Sequence, residues 1–276
     1  MPNPRVLILG GHGKIAMLLT PLLRLRNWDV ISLIRNPAHA QDILNISPRV
    51  VGGNVEIMVS SLDDVKSEAD AKAILDRADP DYVVWAAGAG GKGAPSRTYT
   101  IDRDVANYFT AAICATPSIK KYLLISHLGS RRRQPSWMED ADWEHIAHIN
   151  NDVLPDYYRA KLAADEYFTA MTKRRVDRGD KTFQAICLRP GVLADAPATG
   201  RVELGKTVAM VTMGGSVNRE DVAAVTDGLL ARDDTRGWYD LLGGDEPVEE
   251  AIDRVVRDKV DAVEGENVKA MCARYN

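Results

Sequence analysis

Cysteine is scarce. Cys114, Cys187 and Cys272 are the three in 276 residues, with no CxxC pair and no zinc-ligand spacing among them. An odd number of distant thiols excludes a disulfide framework and fits a reducing compartment, so a cytoplasmic protein is expected. Long apolar runs are also missing. Tyr82-Val83-Val84-Trp85-Ala86-Ala87 is far too short to span a bilayer. The first apolar run, Val6 to Leu9, ends at once in glycines, so it reads as a strand and no signal peptide is expected. Neither sign of charge dominates: 35 basic and 39 acidic residues leave a net charge of -4, which gives no attraction to nucleic acid or to acidic membranes. No GxSxG elbow occurs, which removes serine-hydrolase logic. His145 and His148 lie near Asp142 and Glu144, but no further ligand sits at a known spacing, so no metal is expected.

What is present suffices for a large core. Hydrophobic residues make up 45% against 27% charged, which excludes disorder across the chain. Short apolar runs alternate with amphipathic ones. Strands are expected at Arg5–Leu9, Asp29–Ile34, Val55–Val59, Asp81–Trp85, Lys121–Ser126, Thr182–Leu188 and Trp238–Leu242. Helices are expected at Lys14–Arg26, Glu68–Arg77, Ser96–Ala115, Tyr157–Val176, Arg219–Ala231 and Val248–Val263. This alternation predicts an α/β fold with a doubly wound parallel sheet, a single domain over 1–276 with a small C-terminal lobe at about 218–263. Two polar or glycine-rich stretches, about 128–156 and 192–217, break the rhythm after strand ends. They are expected to be loops that wall a substrate.

Gly10-Gly11-His12-Gly13-Lys14-Ile15-Ala16 follows the first strand and opens the first helix. It frames as GxGxxA or GxxGxxA. Glycines allow a tight turn and close approach of a diphosphate, and the helix N-terminus supplies free N–H groups and a positive dipole end. The second strand ends Leu33-Ile34-Arg35-Asn36, with no acid to accept a ribose 2′-hydroxyl. Arg35 is a forked cation suited to a 2′-phosphate, and His12 and Lys14 add positive charge, so NADP(H) is favoured over NAD.

Tyr157 and Lys161 form YxxxK, which puts both side chains on one helix face. A nearby ammonium favours the phenolate and eases proton exchange.

With these residues in view, the chain resembles a short-chain dehydrogenase/reductase of the atypical, NAD(P)H-binding, epimerase/dehydratase-like kind, close to small fungal and bacillus members. The likeness also rests on Ala86 to Gly93, Leu188-Arg189-Pro190-Gly191, Asn218 to Ala223 and Leu242 to Asp245. It implies that Gly10, Gly11, His12, Gly13, Lys14 and Ile15 hold the pyrophosphate and that Arg35 and Asn36 hold the 2′-phosphate. Ser61 and Leu62 would flank the adenine, and Ala86, Ala87 and Gly88 would pass under the adenosine ribose. Pro190, Gly191 and Val192 would line the nicotinamide amide, with Lys161 on its ribose. Two departures stand out. Ser60-Ser61 replaces the usual acid after the third strand, though Asp63 follows. Ser126 ends its strand directly before His127 and Leu128, so the donor to a substrate oxygen could be Ser126, His127 or absent.

Among the remaining features, Arg131-Arg132-Arg133 reads as a solvated loop rather than an acidic-substrate site. Trp137, Trp143, Tyr157 and Tyr158 could wall an apolar pocket or simply pack, and Lys92 could overhang the nicotinamide. The expected function is an NADPH-dependent oxidoreductase acting on a small carbonyl or enone substrate. Tyr157 would donate the proton, Lys161 would support it, and Ser126 would polarise the oxygen. A non-catalytic NADP(H)-binding sensor or scaffold, or an NADP-using epimerase or isomerase, stays open, as does the choice between monomer and homodimer.

Overall fold

The computed structural model describes residues 3–46, 52–89, 95–208 and 215–275. Lys92 with the glycines around it, and Gly214, lie outside the described residues. Five parallel strands build the N-terminal half of the sheet: β1 (Arg5–Leu9), β2 (Asp29–Ile34), β3 (Val55–Val59), β4 (Tyr82–Trp85) and β5 (Lys121–Ile125). β6 (Gln184–Pro190) and β10 (Gly237–Gly243) extend it in parallel beyond β5. β8 (Arg201–Gly205) and β11 (Glu246–Pro247) close that edge antiparallel, so the nine strands run β11-β8-β10-β6-β5-β4-β1-β2-β3. β7 (Val192–Ala194) and β9 (Ser216–Asn218) form a separate two-stranded pair.

The central strands read as unbroken apolar runs because both their faces are covered. Val6, Leu7, Ile8 and Leu9 have no exposed surface. One face carries α1 (Lys14–Leu25), α8 (Arg219–Ala231) and α9 (Val248–Arg257), packed through Leu19, Leu23, Val225 and Ile252. The other carries α3 (Glu68–Ala78), α5 (Ala106–Cys114) and α7 (Pro155–Asp177), packed through Leu75, Phe109 and Phe168. Segment 218–263 thus contributes layers to the same sheet: α8 lies on α1 and β10 beside β6. The short helices α2 (Ala40–Ile46) and α10 (Val268–Arg274) complete the set with α4 (Pro95–Thr98) and α6 (Asp140–His148). Among the described residues no helix is long and apolar enough to cross a membrane.

The boundaries differ from expectation in physically legible ways. The helix expected over 96–115 is α4, then a π-helical stretch Tyr99–Val105, then α5. Stretch 128–156 is not mainly loop: α6 runs on through a second π-helical stretch, Ile149–Val153, to the start of α7. β6 does not stop at Leu188, because the Arg189 side chain is buried among carbonyls and carboxylates instead of turning to solvent. The last helix stops at Arg257, and Lys259 adopts a left-handed φ of 52°.

Candidate functional site

The turn after β1 is pressed between two strands. Gly11 N–H donates to Leu33 O at 2.8 Å, and a Cβ on Gly11 would stand 1.9 Å from Ser32 Oγ. Gly10 has φ +88°, and a Cβ there would approach Ala87 Cα to 2.8 Å. Gly13 caps α1 without any side-chain hydrogen bond, and no acid sits in the first turn. The helix therefore presents uncapped N–H groups and the positive end of its dipole beside Lys14. An uncapped helix end behind a turn that admits no Cβ fits a diphosphate.

From this turn a cleft runs both ways along the carboxyl ends of the strands. Toward β2 and β3 lies a cavity of about 250 Å³, lined by Gly10, His12, Arg35, Asn36, Leu62 and Ala87 among others. Arg97 of α4, which the sequence reading missed, also lines it. Arg35 Nη1 donates to Asp63 Oδ2 at 3.0 Å and Arg97 Nη1 donates to the same oxygen at 3.2 Å. Burial pushes the Asp63 carboxyl up, but the two guanidiniums outweigh it and hold it below the usual carboxylate range. The His12 and His39 rings stack at 3.8 Å at the rim. Asn36 Oδ1 accepts from Ala38 N–H at 3.0 Å, and Ser61 Oγ accepts from Asp63 N–H at 3.2 Å. Ser61 thus shapes the turn that carries Asp63, while Ser60 and Leu62 face the cavity.

Toward β5 the cleft opens into a second cavity of about 240 Å³, where Lys14, Ile15, Ala86, Ala87 and Gly88 meet Ser126, Tyr157 and Lys161. The structure brings together these residues, which are far apart in the chain. Lys161 is buried and its ammonium donates to Ile125 O at 3.0 Å. The phenol of Tyr157 is not depressed by Lys161, as the YxxxK spacing suggested. Burial pushes it up, and the carboxylates of Asp102 and Asp165 push it further. Tyr157 therefore holds its proton at neutral pH, the state of a donor rather than a base. Asp102, buried on the first π-helical stretch, accepts from Ala89 N–H at 2.9 Å, and burial raises its carboxyl. Ser126 donates to Asp165 Oδ1 at 2.5 Å, and burial lifts that carboxyl to about 6. Burial likewise keeps His127 neutral, down to about 4.

A third cavity, about 390 Å³, adjoins Tyr157 and Ser126 on the side away from the glycine turn. Its walls are mostly apolar, with Ile146 and Ile149 from the α6 segment, Leu154, and Val192 and Leu193 from β7. Pro190 and Gly191 also line it, and a Cβ on Gly191 would stand 2.3 Å from Gly215 O. Of the four aromatics weighed as a wall, Tyr157 alone lines this chamber. Trp137 stacks under Arg131, and Tyr158 donates to Arg131 O at 3.0 Å. His145 lines the chamber, while His148 pairs with Asp152 at 2.8 Å. The arginine run lies on a loop with Arg132 and Arg133 exposed, as expected, and only Arg131 departs from that reading. Arg131 is buried and donates to Asp240 Oδ2 at 2.6 Å, and Arg132 is paired with the buried Glu166.

Arg97 lines the first cavity, Asp102 and Arg219 line the second, and Asp165 holds Ser126; the sequence reading assigned none of the four to the site. Asp165 had a findable signal: it lies four residues after Lys161, on the same helix face.

A family model described as NAD(P)H-binding matches residues 10–233. A UPF0659 protein of Schizosaccharomyces pombe is 30% identical over 251 residues, covering 89% of this chain and 92% of its own length. A UPF0659 protein of Saccharomyces cerevisiae is 31% identical over 256 residues, covering 91% and 99%. Among solved structures, a candidate NAD-dependent epimerase/dehydratase from Bacillus halodurans superposes with a TM-score of 0.70 at 23% identity, over 91% of this chain and 100% of its own. That likeness carries the fold.

Proposed function

The chain belongs to the NAD(P)H-binding family, and from that premise we propose that it is an NADPH-dependent reductase of small carbonyl or enone substrates. The observation that carries this reading is the position of Tyr157. Its phenol stands at the junction of the dinucleotide cleft and the apolar chamber, with its proton held firmly. Bound NADPH would supply the hydride. Gly10 to Ile15 and the α1 N-terminus would hold its diphosphate, and Ala86 to Gly88 would run beneath the adenosine ribose.

Arg35, with Arg97 beside it, supports NADP(H) over NAD. Two forked cations face one cavity with a single carboxylate between them, an arrangement that leaves net positive charge for a 2′-phosphate. Asn36, Ser61 and Leu62 shape that end.

At the other end Lys161 is anchored on Ile125 O in the cavity it shares with Tyr157, where it would reach the nicotinamide ribose. Tyr157 gives its proton to the oxygen that becomes negative as the carbonyl is reduced. Ser126 would polarise that oxygen once its hydrogen is released from Asp165, and Pro190, Gly191 and Val192 would close the wall behind the nicotinamide. The apolar chamber excludes water and selects a substrate with an apolar body.

The test is NADPH oxidation against a panel of aldehydes, ketones, enones and quinones, with wild type and Tyr157→Phe. The reading expects turnover in the wild type and a loss of about 10²–10⁴-fold in the variant. Equal turnover by both proteins would remove Tyr157 from the chemistry, and NADPH-neutral isomerisation would point to an epimerase instead.

A further inference from the structure

Behind the catalytic face lies a buried charge cluster with unused hydrogen-bonding capacity. Arg131, Arg189, Asp165 and Asp240 have side chains with no exposed surface. Arg189 Nε lies 3.5 Å from Asp240 Oδ1 and 3.9 Å from Asp165 Oδ2, and neither oxygen has a hydrogen-bond partner. The other oxygen of Asp165 is the one that takes the Ser126 hydrogen. A hydroxyl carries one hydrogen, so with that bond in place Ser126 can offer a substrate oxygen only lone pairs. It cannot then polarise a carbonyl.

We propose that Asp165 is a positioning residue that decides whether Ser126 can donate to the substrate. As a carboxylate it holds the serine hydrogen. As a carboxylic acid it donates to Ser126 Oγ and frees the serine hydrogen to turn toward the chamber.

The inference rests on the reductase reading of the same site. The geometry favours a proton on Oδ1, the oxygen facing Ser126, because the Arg189 guanidinium stands on the Oδ2 side. The groups that face Asp165 come from every element around it. Lys161 and Tyr157 lie on its own helix, α7, and Tyr122 and Ser126 on or just beyond β5. Cys187 and Arg189 lie on β6, and Asp240 on β10. Burial and Asp240 favour the acid, while Arg189, Lys161 and the serine hydrogen bond favour the carboxylate. The balance lifts the carboxyl to about 6, close enough to neutrality for both states to be reached.

The test has two arms. In the first, the carboxyl carbon of Asp165 is titrated by ¹³C NMR in the cofactor-free protein, with Asp165→Asn for assignment. The expectation is a midpoint near 6 that moves upward in Ser126→Ala, since the serine hydrogen stabilises the carboxylate. A midpoint below 4, or one unmoved in Ser126→Ala, overturns the proposal.

In the second arm, reduction of 4-nitrobenzaldehyde by NADPH is followed from pH 5.5 to 8. Wild type should lose roughly tenfold per pH unit above pH 6.5 until Ser126 no longer contributes. Asp165→Asn, whose amide N–H donates permanently to Ser126 Oγ, should keep the low-pH rate across the range. Ser126→Ala should be slow and flat. A sloping profile shared by wild type and Asp165→Asn overturns the proposal. If no protein reduces the aldehyde, the reductase reading is what fails, and the NMR midpoint still decides whether Asp165 and Ser126 are coupled.

Discussion

Asp63→Asn should tighten NADPH binding. In the wild type one carboxylate holds Arg35 at 3.0 Å and Arg97 at 3.1 Å. The Arg35 side chain is 61% exposed, that of Arg97 43% and that of Asp63 33%, so both are surface ion pairs. Such pairs are worth about 0.2–1 kcal/mol each. A 2′-phosphate that recruits both guanidiniums must break them, so removing the acid returns about 0.4–2 kcal/mol in total, or about 2- to 30-fold in affinity. NADH has no phosphate to recruit them and gains nothing. The assay is calorimetric titration of NADPH and NADH into both proteins at low salt, repeated near 1 M salt. There the screening length falls to about 3 Å and the gain should shrink toward unity. An equal gain for NADH, or weaker NADPH binding in Asp63→Asn, refutes the assignment of this end of the cleft to a 2′-phosphate.

Arg97→Ala should weaken NADPH by about 1.5–3 kcal/mol and leave NADH within twofold, read in the same titration. Tyr157→Phe should preserve NADPH affinity while abolishing most turnover, so a matched fall in both would assign the phenol to binding. Stability should fall on the acid side through His127, which burial keeps neutral down to about 4 against an ordinary 6.5. The unfolded chain takes up the proton first, so stability present above pH 6.5 is lost as pH drops toward 4, by at most about 3 kcal/mol. His127→Gln should flatten that slope in urea unfolding at pH 4.5 and 7, and an unchanged slope would show that other groups set it. Asp165 works in the opposite sense: its raised carboxyl gives stability that is lost as pH rises from 4 through 6. Asp165→Asn should therefore steepen the acid-side loss in the same assay, and a shallower loss would contradict the sign.

Much of this site was legible in the residues alone because local chemistry dictated it. The Gly10–Ala16 turn follows a strand and opens a helix, and nothing but glycine fits where Ser32 and Ala87 press on it. Tyr157 and Lys161 are one helical turn apart, so their shared face needed no tertiary knowledge. Arg35 was placed by counting from the glycine turn. What escaped notice depended on long-range packing. Asp63 and Arg97 are 34 residues apart in sequence and meet only when the turn that follows β3 comes up against α4. Arg131 looked like part of a solvated basic run, yet its partner Asp240 is 109 residues away. The π-helical stretch that carries Asp102 has no short-range sequence signature comparable to a cap or a glycine turn. Asp165 was hidden differently: its spacing from Lys161 was visible, but its meaning required Ser126 at the end of β5.

The most direct measurement is calorimetric titration of the purified protein with NADPH and with NADH, alongside Gly11→Val, whose side chain would collide with Ser32. A single site per chain, tighter for NADPH than for NADH and lost in the valine variant, is the predicted result. No heat from either nucleotide with correctly folded protein, or full binding by the valine variant, would contradict the assignment of this cleft.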